Sequence, residues 1–167
     1  MFFGSNCFHF VFNTNTRHDL HFIPADEWSN QLFSLSELRQ SFFTRRNGIG
    51  RIFPIKLYHA LLITKTFPDS YPFIGVVWVT DRVFKVNSTI FAYLLGIHSI
   101  QGGLFHKQGN FSRHNYQQVL KQNSHDIETN VDISDVDDFL IRLFIDSENR
   151  FSRDTEYEFH KDTAQYE

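Results

Sequence analysis

The clearest chemistry in this chain is carried by cations. Residues 39–121 hold 11 Lys and Arg (Arg39, Arg45, Arg46, Arg51, Lys56, Lys65, Arg82, Lys85, Lys107, Arg113 and Lys121) against Asp69 and Asp81 alone, a formal charge of +9. Residues 1–38 carry −3 and residues 122–167 carry −9, so the net charge of −3 conceals a basic middle and an acidic end. Guanidinium and ammonium groups at this density are suited to a polyanion such as a phosphate backbone. The candidates to reach it fall into three groups. Arg45, Arg46 and Arg51 flank Asn47-Gly48-Ile49-Gly50, an irregular segment that reads as a solvated linker or as a basic arm for a narrow minor groove. Gln101, Gly102, Gly103, His106 and Lys107 fall in one short helical stretch. There Gln can bond adenine and Lys can reach guanine acceptors. The two glycines leave a face without side chains, on which a partner can come close to the backbone, or they mark a helix that frays. Arg113 and His114 follow in a polar loop whose side chains touch phosphates or are merely solvated.

Other chemistries find less support. The 9 His are scattered. His18 with His21, or His106 with His114, could ligate a metal, but there is no His-Glu-x-x-His. Cys7 is alone, which excludes an intrachain disulfide and a Cys-based zinc site. Nothing resembles an activated nucleophile or a Gly-rich phosphate loop, so neither an enzyme nor a cofactor is expected. No apolar run approaches the roughly 20 residues of a membrane span. Residues 1–12 are apolar but lack a basic n-region and are not read as a signal peptide. Hydrophobic residues make up 41% of the chain, 20 of them Phe, enough for a small core.

The elements that position these residues can be read from caps and periodicity. Asn87-Ser88-Thr89 offers N-cap side chains to a helix over 90–95, and Gly96 stops it. After a turn at Ile97-His98-Ser99, a second helix is expected from residue 100 to about 108. Two short helices around a tight turn can lay the second in a DNA groove. Upstream, Phe53-Pro54 opens a helix with Leu57, Tyr58, Leu61 and Leu62 on one face, ending at Phe67-Pro68. A loop over 67–75 leads to a hairpin, 76–79 with 83–86, that places Trp78 and Phe84 in the core. Downstream, a strand over 117–120 stands where a wing would sit. In the acidic end, Ser134 and Asp137 have capping-box spacing, and Val136, Phe139, Leu140, Leu143 and Phe144 form the apolar face of an expected helix. Residues 151–167 read as disordered. At the front, Phe2 to Phe12 suggests a short strand, and 25–33 and 34–38 suggest short helices in a loosely attached extension.

Three strings in this order carry a resemblance. They are Phe53-Pro54-Ile55-Lys56-Leu57-Tyr58-His59-Ala60-Leu61, then residues 75–87 (Gly-Val-Val-Trp-Val-Thr-Asp-Arg-Val-Phe-Lys-Val-Asn), then Phe91-Ala92-Tyr93-Leu94-Leu95-Gly96-Ile97. The chain resembles the initiator-binding domain, the winged-helix module of trichomonad core-promoter-binding proteins, and is more distantly similar to heat-shock-factor-type DNA-binding domains. The resemblance implies an α+β fold, a winged helix-turn-helix of three helices with a small antiparallel sheet, over residues 41–121. Residues 1–40 become an N-terminal extension and residues 122–167 an acidic tail with one short amphipathic helix. It implies a nuclear protein of transcription initiation that binds double-stranded DNA at a core-promoter initiator element. A recognition helix would lie in the major groove and a basic arm in the minor groove, with the acidic tail turned to the transcription machinery or inert in solvent. The alternative is a winged helix used for protein–protein contact in a transcription complex, which a bare face at Gly102 and Gly103 would favour.

Overall fold

The computed structural model describes residues 9–10, 33–46, 53–98 and 103–155. The expectations for Arg51, Gln101 and Gly102, for residues 11–32 and for residues 156–167 lie outside the described residues. β1 (His9–Phe10) pairs antiparallel with β2 (Phe33–Ser34). α1 (Leu35–Leu38) runs on through a π-helical stretch, Arg39–Phe43. Leu38, Phe42 and Phe43 are buried in the main core, each side chain worth about 2 kcal/mol in burial. This end of the extension is therefore anchored, not loosely attached.

α2 (Phe53–Thr66) is the central helix. Pro54 stands in its first turn, where a missing N–H leaves no bond unmade, and Phe67-Pro68 ends it. The sequence spacing predicts one apolar face, but the structure buries nearly the whole circumference, Lys56, His59 and Thr64 included. Buried polar groups need partners. His59 Nδ1 is bonded to Ile55 O at 2.8 Å, and Thr64 Oγ1 donates to Leu61 O at 3.2 Å.

The stretch expected as a loop after α2 holds a 3₁₀ turn (Pro68–Ser70) and α3 (Tyr71–Ile74). Gly75 ends α3 at φ 84°, in the left-handed region, and donates its N–H to Tyr71 O at 2.9 Å. β3 (Val76–Trp78) and β4 (Val83–Asn87) form the expected hairpin, with Trp78 opposite Phe84. α4 (Ser88–Leu94) is capped by Asn87, whose Oδ1 accepts from Ile90 N at 3.2 Å, and Gly96 turns the chain at φ 69°.

The second helix of the pair ends earlier than expected. Gly103 is helical, but residues 104–109 form turns, so His106 and Lys107 stand on a loop. The loop is closed by Gly109 N donating to His106 O at 2.7 Å and by Phe111 N donating to Leu104 O at 3.2 Å. Leu104 is fully buried and Phe105 packs against the core, which pulls the chain out of helical register. α5 (Asn110–Arg113) and β5 (Tyr116–Val119) follow.

The largest correction lies in the acidic end. The expected helix from Ser134 through Phe144 is instead a bend followed by β6 (Ile141–Asp146), and β6 is an interior strand. The sheet order is β3-β4-β6-β5, antiparallel throughout. Alternation along β6 then serves two cores. Phe144 joins Trp78, Phe84, Val86, Phe111 and Tyr116 beneath the helices. Leu143 and Ile141 join Val79, Val83 and Val119 on the opposite face, which Ile127, Val131, Ile133 and Val136 cover. The −9 end of the chain is thus partly a structural lid on the sheet. Phe151, expected to begin a disordered tail, is buried against Tyr58 and Trp78 at ring distances of 5.4 and 6.0 Å. The molecule is α+β and winged-helix-like: helices on one face of a small antiparallel sheet, with the β5–β6 connection in the place of the wing.

Candidate nucleic-acid interface

Most cations of the basic middle are already engaged. Arg39 Nε donates to Tyr93 O at 2.8 Å, with its guanidinium 4.3 Å over the Tyr93 ring. Lys65 Nζ donates to Arg153 O at 2.6 Å and meets Asp154 at 3.3 Å. Arg82 bonds Asn149. Lys85, 3% exposed, donates to Asp132 O at 2.5 Å and to the Asp135 carboxylate at 3.0 Å. Lys121 Nζ donates to Ser134 O at 2.9 Å and Val136 O at 2.6 Å. Asp138 accepts from Lys121 N through both oxygens at 3.0 Å. The formal +9 therefore overstates the charge offered to a partner, because Lys65, Lys85 and Lys121 are turned onto the C-terminal segment.

What remains is a smaller set. Among the described residues, the side chains of Arg45, Arg46, Lys107 and Arg113 are exposed and make no hydrogen bond or ion pair. These are four of the ten residues singled out in the sequence. His106 is exposed as well, with Nδ1 accepting from Gln108 N at 3.3 Å. Gly103 does not present a bare face outward. A Cβ built there would fall 2.3 Å from Ile97 Cγ2, so its missing side chain makes room for the helix-turn-helix turn. His114 is half-buried and stacks on Phe53 at 5.6 Å and 22°. Burial, then Arg150 and Arg113, hold its pKa below the usual histidine range, which keeps it neutral and unsuited to a phosphate.

The structure also gathers residues that the sequence did not single out as a site. A groove of about 380 Å³ lies between the arm, the start of α2, the turn after α4 and the start of α5, and Arg46, Lys56, Gly96, His98 and Asn110 line it. Lys107 and Arg113 stand three residues to either side of Asn110 in the chain. Lys56 could have been found from its position, a cation set between Ile55 and Leu57 near the start of α2. His98 and Asn110 gave no signal beyond their polarity. The wing position, residues 120–140, brings Asp126, Glu128, Asp132, Asp135, Asp137 and Asp138. It adds no cation to the set beyond Lys121, which is engaged.

Compared with known families, residues 25–137 match the model of the transcription-initiator DNA-binding domain IBD, 113 of the 167 residues. No curated protein and no solved structure matches the chain.

Proposed function

The chain belongs to the transcription-initiator DNA-binding domain family, a DNA-binding family of transcription initiation, and on that premise we propose how it holds a core-promoter initiator element. The helix-turn-helix ending in the loop of His106 and Lys107 enters the major groove, with Gln101 and Gly102 at its start. Arg45, Arg46 and Arg51 form an arm that follows the minor groove. Arg113 binds phosphate. The work is binding in the nucleus rather than catalysis, and the transcription machinery is met through the acidic C-terminal segment. The observation that carries the reading is the family match over residues 25–137. The four cations left unpaired around the helix-turn-helix support it. A protein–protein role for the same face loses its main support, because Gly103 faces Ile97 instead of a partner.

The test is a salt titration of the full chain on duplex DNA. If about five phosphates are neutralised, log K should fall with log salt at a slope of about −4 to −5. A duplex selected from a random pool should bind more tightly than its scrambled counterpart. No binding at low salt, or a salt-independent affinity, would reject the DNA reading.

A further inference from the structure

We propose that the groove between Lys56, Arg46, His98 and Asn110 is a built seat for one backbone phosphate of the bound strand, with the Lys56 ammonium as its counter-charge. The inference rests on the DNA-binding reading and adds a residue and a site to it.

Two lysines among the described residues are nearly buried, and they are treated differently. Lys85 is 3% exposed and has the Asp135 carboxylate. Lys56 is 8% exposed, and no carboxylate among the described residues lies within ion-pair distance. Among the described residues its only bond is from Nζ to Arg45 O at 2.7 Å, one of three that an ammonium can donate. A cation withdrawn from water without a counter-ion is costly. Here it lies at the floor of an open groove whose other polar groups are donors or amphoteric. The side chains of Arg46, His98 and Asn110 make no hydrogen bond among the described residues. A phosphate oxygen could accept from Lys56 Nζ and from the Asn110 amide, with Arg46 adding positive potential at the rim. Gly96, at φ 69°, carries the turn that forms one wall, and a Cβ there would meet Thr44 Cγ2 at 3.0 Å. The groove lies beside the helix-turn-helix turn, where a backbone strand bordering the major groove would pass. Burial, then Arg46, holds the Lys56 pKa down to about 8. Lys56 is therefore mostly charged at pH 7 and gives up its proton as pH rises toward 9, unless an anion holds it charged.

Among the described residues, the titratable and charged groups around Lys56 are Arg45 and Arg46 on the arm, His98 on the turn and His59 on the next turn of α2. The experiment measures affinity of the full chain for duplex DNA at pH 7 and pH 9, and its salt slope at pH 7, for the unaltered chain, Lys56→Arg, Lys56→Gln, His98→Gln and Asn110→Ala. The unaltered chain should lose on the order of tenfold in affinity between pH 7 and pH 9. Lys56→Arg should keep the salt slope and lose that pH dependence. Lys56→Gln should shallow the slope by about 1. Asn110→Ala should weaken binding with the slope unchanged, and His98→Gln should leave the pH dependence in place. The proposal is overturned if Lys56→Arg keeps the pH dependence, or if Lys56→Gln folds and keeps the slope. Should Lys56→Gln fail to fold, the Lys56→Arg profile decides. Inorganic phosphate alone is the second probe. If it occupies the groove at about the ionic strength of the assay and abolishes the Lys56-dependent effects, the groove takes a free anion and the strand assignment is wrong. Failure of the unaltered chain to bind duplex DNA would reject the function itself, a separate outcome.

Discussion

Lys85 shows what a single residue does for this fold. It stands on β4 facing the second core, and its Nζ reaches across to Asp132 O and Asp135. The acidic stretch is thereby pinned over the sheet, and Tyr71 lies under the ammonium at 4.8 Å. Removing the carboxylate leaves a buried cation with one carbonyl, whereas removing the cation leaves an aspartate that is already 41% exposed. The two losses are therefore unequal. Asp135→Asn should cost about 2 kcal/mol of stability. Lys85→Met, which keeps the stem's packing, should cost less than about 1 kcal/mol. Chemical denaturation of the two variants measures the difference, and equal losses would show that charge pairing is not what holds the lid. Gly75, by contrast, is a residue with no substitute. It sits at φ 84°, and a Cβ would lie 2.7 Å from Phe91 N and 2.9 Å from Ile90 Cβ. Gly75→Ala should cost about 2 to 4 kcal/mol, since left-handed strain and a backbone clash add, read as a lowered denaturation midpoint.

At the scale of elements, β6 decides the fold. It bonds β4 along one edge and β5 along the other, Phe84 opposite Phe144 and Val119 opposite Leu143. A chain ending at residue 140 should lose its cooperative thermal transition, while one ending at residue 155 should melt as the full chain does. A cooperative melt of the shorter chain would mean that the sheet closes without β6. On the same reasoning, residues 39–121 alone, which lack β6, should not fold cooperatively. The sequence displayed other elements well. Asn87 before Ser-Thr, Gly96 after Leu95, Pro54 behind Phe53, and two Val-rich runs around Thr-Asp-Arg each have a local physical cause visible in the residues themselves. β6 had none. Ile141 to Ile145 is apolar but for Arg142 because both faces of the strand are covered, and a short continuous apolar run does not reveal its period. The capping-box spacing of Ser134 and Asp137 then argued for a helix, although Asp137 Oδ1 in fact caps a bend, accepting from Phe139, Leu140 and Ile141 N. The site was legible as charge and not as geometry. A count of Lys and Arg cannot tell Arg46 in solvent from Lys85 under a lid, nor that Gly103 faces Ile97.

For the whole molecule, the consequence is a division of charge. Carboxylates of the C-terminal segment take up Lys85 and Lys65, its backbone carbonyls hold Lys121, and the unpaired cations are left on the arm and around the helix-turn-helix. Affinity and specificity should then come from different places. Phosphate contacts position a protein and base contacts specify it. His106 and Lys107 stand on the exposed loop that ends the second helix, within the stretch proposed to meet base edges. Arg45 and Arg46 stand on the arm, where a narrow A·T minor groove offers the most negative potential. Changing His106 or Lys107 to Ala should relax preference at major-groove positions by about 1 to 3 kcal/mol if a base contact is lost. Changing Arg45 and Arg46 to Ala should lower affinity, shallow the salt slope by about 2, and weaken the preference for A·T pairs beside the core site. Affinities for a selected duplex and for duplexes mutated one base pair at a time would show the two sets acting at different positions. If both sets lose the same affinity on every duplex, these residues touch only phosphates, and specificity must arise from Gln101 or from DNA shape.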